Sequence, residues 1–324
     1  MVDVFEVAEN IYMIDSELYG IPKWGSVYLL NEDDKALIET GPTTSASVVI
    51  DGVKKVGLRP ADIAYIFVTH IHLDHAGGAG VLAQAMPQAQ VVVHHKGARH
   101  LINPARLVES AIAARGNEVI EMHGEVLPVD ANRVRGVSES DEIQLSNDQT
   151  LTFIDAPGHA PHQLCIYESR NRGIFTGDAV AVYIPDYDIL LPFHPPPQFD
   201  LELCLNTLSR LEGFSARAIY YSHYGTSYSV NKHISRTREQ LMVWDSIFWN
   251  AVKDGDINNV EDKMMSQALA QLEPLKRDKS MELLYKYLAD DHIPLCAAGH
   301  IKYYKELQGT STYNQGHLTS STDV

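Results

Sequence analysis

An unbroken apolar run at residues 65–68, Tyr-Ile-Phe-Val, stops at Thr69, and the next six positions carry His70, His72, Asp74 and His75. A run this short, built from β-branched and aromatic side chains, reads as a strand buried on both faces. The chain must therefore fold so that a core strand delivers three imidazoles and a carboxylate to one loop. Alternate residues of such a loop share a side, so His70 and His72 can serve one metal ion while Asp74 and His75 turn towards another. A chance H-x-H-x-D-H is expected on the order of once in several hundred chains of this size. A merely solvated polar turn is the weaker account.

Three further residues stand where later apolar runs stop: His159 in Ala-Pro-Gly-His, Asp178 in Phe-Thr-Gly-Asp and His223 in Tyr-Ser-His-Tyr-Gly. Any one alone would be read as a turn residue. The repeated setting, a potential ligand just past a strand, makes a shared site the better reading.

The surrounding pattern is a mixed α/β chain. Apolar runs at 11–14, 27–30 and 36–38 predict a β-meander, 44–56 a helix, and 65–93 a strand–loop–helix–strand unit. Residues 103–125 read as helical and acidic, an insertion over one face. Strands follow at 143–145, 151–154, 164–167 and 174–176. A Pro- and aromatic-rich loop is expected over 183–199, then a helix at 201–211 and a strand at 218–221. From 230 to 307 only helix is expected, with Trp244, Phe248 and Trp249 as a core stripe, and 309–324 reads as an unstructured polar tail. The division is thus 1–227 for the domain that carries the candidate ligands, 228–308 for a helical extension that caps their edge or forms a dimer contact, and 309–324 for the tail.

The chain holds 26 basic and 42 acidic side chains, a net charge of −16. Residues 1–227 carry 15 basic against 29 acidic groups and the remainder 11 against 13, so the acidity lies with the proposed site. Such a field repels nucleic acid and anionic membranes. Cys165, Cys204 and Cys296 are odd in number and far apart, which excludes a disulfide framework and a CxxC motif. The first twenty-five residues show neither a secretory nor an Arg-rich transit pattern, and no apolar run is long enough to span a bilayer. A cytoplasmic protein with a small-molecule substrate is expected.

The H-x-H-x-D-H segment together with His159, Asp178 and His223 resembles the metallo-β-lactamase-fold hydrolases, and within them the glyoxalase II-like branch, over residues 5–227. A subgroup without assigned substrates is the most similar, sharing Gly158-His159-Ala160-Pro161-His162 and a Pro-rich segment after Asp178. The resemblance implies an αββα sandwich with metals at one edge. It implies His70, His72 and His159 on one ion, Asp74, His75 and His223 on a second, and Asp178 bridging both. Glu39 would buttress the metal loop, where the family usually shows Asp, and His162 resembles a second histidine often seen beside the site.

Imidazole and carboxylate ligands without thiolate suit two divalent ions, zinc first, with iron or manganese as alternatives. Two such ions can hold a bridging hydroxide as nucleophile while Asp74 orients it. The expected reaction is hydrolysis of a small ester, thioester or lactone. The alternatives are a mononuclear iron persulfide dioxygenase, a small-molecule phosphodiesterase and a non-catalytic ligand-binding regulator. Tyr183, Tyr187, Phe193 and His194 are the expected pocket wall, because their loop follows Asp178 directly.

Overall fold

The computed structural model describes residues 2–309. Its first sheet has seven strands in sequential order: β1 (Val4–Ala8), β2 (Ile11–Asp15), β3 (Ser26–Leu30), β4 (Lys35–Ile38), β5 (Ile63–Phe67), β6 (Gln90–His94) and β7 (Val134–Val137). The meander β1–β4 is antiparallel, and β4 through β7 run parallel. Side-chain alternation decides what each face meets. Tyr28, Leu30, Ala36, Ile38, Phe67 and Val92 pack inward against the second sheet. Val27, Leu29, Leu37, Ile66, Val91 and Val93 point outward to a helical layer. With both faces covered, these strands read as continuous apolar runs, each buried large side chain contributing roughly 1.5–3 kcal/mol.

That outer layer is built from α1 (Ala46–Lys55), the short α2 (Leu73–Ala76), α3 (Ala79–Ala85) and α4 (His95–Ile102). The helices α5 (Ala105–Arg115) and α6 (Glu118–His123) form the insertion expected over 103–125.

The second sheet contains β8 (Glu142–Ser146), β9 (Gln149–Asp155), β10 (Leu164–Glu168) and β11 (Gly173–Phe175). A separate hairpin, β12 (Val182–Ile184) with β13 (Ile189–Leu191), precedes the last two strands of the sheet, β14 (Ala218–Tyr220) and β15 (Thr226–Ser227). Its outer face is covered by α7 (Leu201–Glu212) and α8 (Val230–Lys253). Three cores, one between the sheets and one outside each, make the four-layer αββα sandwich that the resemblance implied.

Helices α9 (Val260–Gln271), α10 (Glu273–Arg277), α11 (Glu282–Tyr287) and α12 (Ile293–Gly309) complete the C-terminal region. One π-helical turn, Leu288–His292, joins α11 to α12. The region is not detached: Val182, Ile184, Leu191 and Phe193 share a core with Leu272, Leu284, Leu288 and Cys296. Trp244, Phe248 and Trp249 pack into the core over the second sheet, as the stripe predicted. The three cysteines are free and buried. No helix among the described residues is long and apolar enough to cross a membrane.

The segment 183–199, expected as loop, is partly ordered as the β12–β13 hairpin. Val182 pairs with Leu191 and Ile184 with Ile189, and the turn is closed by Asp188 at φ 49°. Short strands of three residues leave little periodic signal. The edge strand β1, five residues long, also goes unread, because its side chains are only partly buried or exposed and make no apolar run. The expected tail lies outside the described residues beyond Gly309.

Candidate metal centre

Strand direction brings the site together. Strands β4 and β5 are parallel, so Glu39 and the loop 69–75 leave the first sheet at one edge. In the second sheet β9 and β11 are both antiparallel to β10, and β11 is parallel to β14. The segments after β9, β11 and β14 therefore emerge at one edge, carrying His159, Asp178 and His223. The two edges are stitched by backbone bonds, Leu164 N to Thr69 O at 2.8 Å and Ser26 N to Ser222 O at 2.8 Å.

Two turns need glycine. Gly177, before Asp178, has φ +50° and a side chain there would lie 2.5 Å from Thr69 Oγ1. Gly158, before His159, has φ +134° and a Cβ would sit 2.6 Å from the backbone nitrogen of Cys204.

The seven residues converge in two groups, His70, His72, His159 and Asp178, then Asp74, His75 and His223; within each group one potential ligand atom per residue lies within 4.8 Å of every other. His72 Nδ1 is 3.0 Å from His70 Nε2 and 2.8 Å from His159 Nε2. Asp178 sits between the groups: Oδ2 is 3.7 Å from His70, 3.4 Å from His159 and 3.3 Å from His75, and Oδ1 is 3.5 Å from His223. Asp74 Oδ2 lies 3.5 Å from both His75 and His223.

The outer nitrogens set the tautomers. His159 Nδ1 donates to Phe193 O at 2.6 Å, and His75 Nδ1 donates to Glu39 Oε1 at 3.0 Å, leaving each Nε2 facing the cluster. Glu39 is buried, at φ +70°, a left-handed conformation that costs about 1–3 kcal/mol in a non-glycine residue. Its carboxylate accepts from Thr69 Oγ1 at 2.6 Å and Ser222 Oγ at 2.7 Å, so one side chain links both edges and His75.

Charge supplies the test of fit. Burial, with neighbouring imidazoles, holds His70 and His72 well below the usual histidine range, and burial lowers His159. They are neutral, as ligation requires. Burial acts in the same direction on His75 and His223, but Asp178 with Asp74 outweighs it. His75 is driven well up and His223 to about 9. Against its own desolvation, Asp178 is held well below the carboxylate range by His75 and His223. Both Asp178 oxygens and Nε2 of His75 and His223 are buried without a hydrogen-bond partner. Buried carboxylates that draw protons onto two imidazoles, with lone pairs left over, demand positive charge, and divalent cations satisfy that demand.

Of the accessory residues, His162 is buried with its ring 6.2 Å from that of His70 and 5.8 Å from that of His72. Phe193 lies 5.6 Å from His159 and 5.5 Å from His223. His194 is one layer behind, 6.3 Å from His159 and stacked on Phe199. The side chains of Tyr183 and Tyr187 are not brought to the centre. Tyr183 packs on Tyr221 and His233, and the Tyr187 hydroxyl donates to Asp278, because the hairpin turns that part of the chain away.

Sequence reasoning missed Trp24, whose ring is 4.8 Å from His223, and His292, stacked 4.3 Å from Phe193. Both come from segments remote in the chain, and neither has a local motif.

Replacing Glu39 by Gln tests the buttress. It keeps the shape but loses the charge that holds His75, and metal affinity is expected to fall roughly 10–100-fold, read by competition with a chromophoric chelator.

Residues 23–223 match the family model described as the metallo-beta-lactamase superfamily. An N-acyl homoserine lactonase from Bacillus sp is 26% identical over 229 residues, covering 63% of this chain and 80% of that protein. Among solved structures, an archaeal metallo-beta-lactamase superfamily protein from Sulfolobus tokodaii superposes with TM-score 0.61 at 22% identity, over 72% of this chain and 86% of that one. A metallo-beta-lactamase family protein from Thermus thermophilus gives TM-score 0.63 at 16% identity, covering 94% of this chain and 95% of its own. The sandwich, the edge where seven potential ligands converge and the match across that whole edge lead to one assignment: the chain belongs to the metallo-beta-lactamase superfamily.

Proposed function

We propose that this protein is a dinuclear metal-dependent hydrolase that opens a small ester, lactone or thioester. The observation that carries the reading is the placement of Asp178 between two complete ligand groups, with both oxygens unpartnered. The lactonase relatives support an acyl substrate. His70, His72, His159 and Asp178 would hold one ion, and Asp74, His75, His223 and Asp178 the other. Zinc suits this donor set, and iron and manganese are the alternatives.

Two divalent cations in this position would bring the pKa of a bound water towards neutrality and polarise the scissile carbonyl. The protein's own residues do the rest. Asp74 is the partly exposed carboxylate of the cluster, 12% accessible, and, kept ionised against its own desolvation by His75 and His223, can accept a hydrogen bond from a water at that edge and orient it. Phe193 and Trp24 pack over His159 and His223 and exclude bulk water, which strengthens every charge interaction inside. Glu39 and the Phe193 carbonyl fix His75 and His159.

The acidic surface supports a small-molecule substrate over nucleic acid, and three free buried cysteines support a reducing, cytoplasmic setting.

The test is a panel of acyl-homoserine lactones, S-acetyl thioesters, aryl esters and an aryl phosphodiester, assayed after zinc loading. Turnover of carboxylic ester-type bonds that chelator abolishes and zinc restores is expected. Cleavage of the phosphodiester alone, oxygen uptake with a persulfide, or no turnover at all contradicts the proposal.

A further inference from the structure

Burial leaves the centre one open edge. Of the seven clustered residues only His72 and Asp74 are partly exposed. Three side chains from separate elements feel the Asp74 carboxylate, Tyr19 after β2, His123 ending α6 and Tyr287 ending α11, and Arg115 ending α5 acts on all three.

Their contacts form a continuous wall. His123 Nδ1 donates to Val119 O at 2.7 Å, so its Nε2 accepts from the Tyr19 hydroxyl at 2.9 Å. The Tyr19 ring is 5.4 Å from Tyr287, and Tyr287 is 5.5 Å from Trp24, the ring against His223. Asp15 fixes the loop between Tyr19 and Trp24 by accepting from the backbone of Glu17 and Lys23. Arg115 Nη2 donates to Asp291 Oδ1 at 2.6 Å.

Electrostatics places the guanidinium relative to the cluster. Asp74 and Arg115 each act on Tyr19, His123, Tyr287 and His292, so these four groups lie within range of both charges. Geometry agrees: Asp291, which Arg115 holds, precedes His292, whose ring lies 4.3 Å from Phe193 and 5.8 Å from Trp24. The guanidinium side chain is only 19% exposed, whereas the Asp291 side chain that it holds is 47% exposed. The cation is fixed and its carboxylate partner is free to swing into solvent.

We propose that Arg115, flanked by the phenols of Tyr287 and Tyr19, anchors a carboxylate on the substrate of the adjacent centre, and that Asp291 occupies the guanidinium when substrate is absent. A carboxylate is the ligand chemistry because the planar fork of Arg matches it and already holds one here. The inference deepens the hydrolase reading and rests on it for the reaction, though not for binding.

The experiment uses two compounds, S-acetyl-mercaptopropionate and its uncharged primary amide, with their uncleavable acetonyl thioethers as binding probes. Calorimetry on the metal-free protein is expected to show the charged thioether binding at least tenfold more tightly than the amide. Arg115→Met removes that preference, Arg115→Lys restores part of it, and Asp291→Asn sharpens it by freeing the guanidinium. In the zinc-loaded enzyme, Arg115→Met raises KM for the charged thioester about tenfold with kcat little changed, and leaves the amide's KM unmoved. Equal binding of the two probes by wild type overturns the proposal. So do Arg115→Met and Asp291→Asn shifting affinity in the same direction, as loss of a purely structural ion pair would. Charge-selective binding by a protein that turns over no ester, lactone or thioester of the panel keeps the anchor and refutes the hydrolase reading; turnover without charge selectivity does the reverse.

Discussion

Changing Asp178 to Asn is expected to lower turnover by roughly three orders of magnitude and, on the proposed dinuclear reading, to reduce bound metal from two ions per chain to one or none. The reason is geometric. Asp178 lies 3.3–3.7 Å from four imidazoles drawn from both ligand groups, so the amide removes the one negative group both ions would share. A bridging carboxylate fixes the ions close enough to act on one water and one carbonyl, and losing that arrangement forfeits about 4 kcal/mol of transition-state stabilisation or more. His70→Ala is expected to match it, because His70 is fully buried and its Nε2 faces both His72 and Asp178. Metal analysis beside steady-state kinetics reads both. A variant retaining two ions and full activity would show that Asp178 is not a ligand.

Truncating Phe248 to Ala costs about 3–5 kcal/mol, a large share of the stability of an ordinary domain. Phe248 is completely buried, stacked 4.3 Å on Tyr304 and 5.3 Å from Trp249, where α8 and α12 close on the second sheet. The C-terminal helices are a continuation of the sandwich, since Tyr287 and His292 rest on Trp24 and Phe193, which rest on metal-site histidines. Urea unfolding of the variant should therefore move helix loss and metal release to lower denaturant together. Metal release at the wild-type midpoint would show that the helical region folds as a separate unit.

How much of this was readable follows from where the signals are local. The motif at 70–75 and the strand-end positions of His159, Asp178 and His223 could be named because each candidate ligand follows an apolar run that stops. The antiparallel and parallel pairings then align those ends, which no single run reveals. Glu39 was expected beside the loop and does bond to His75 and Thr69, but its strained backbone and its bond to Ser222 had no sequence signal. Tyr183 and Tyr187 were expected at the pocket by their distance along the chain from Asp178, yet the β12–β13 hairpin rotates them towards His233 and Asp278. Trp24, His292, Arg115 and Tyr287 carry no pattern at all. They meet the centre only because the insertion and the C-terminal helices pack at the same edge, and contacts of that kind have no sequence period.

On the reading proposed above, seven distant side chains form one cradle for two cations. Anomalous diffraction from zinc-loaded crystals, collected on both sides of the metal absorption edge, tests it most directly. Two peaks of comparable height are expected on either side of the Asp178 carboxylate, one bounded by His70, His72 and His159 and the other by Asp74, His75 and His223. A single peak, or two that leave Asp178 uncoordinated, would contradict it.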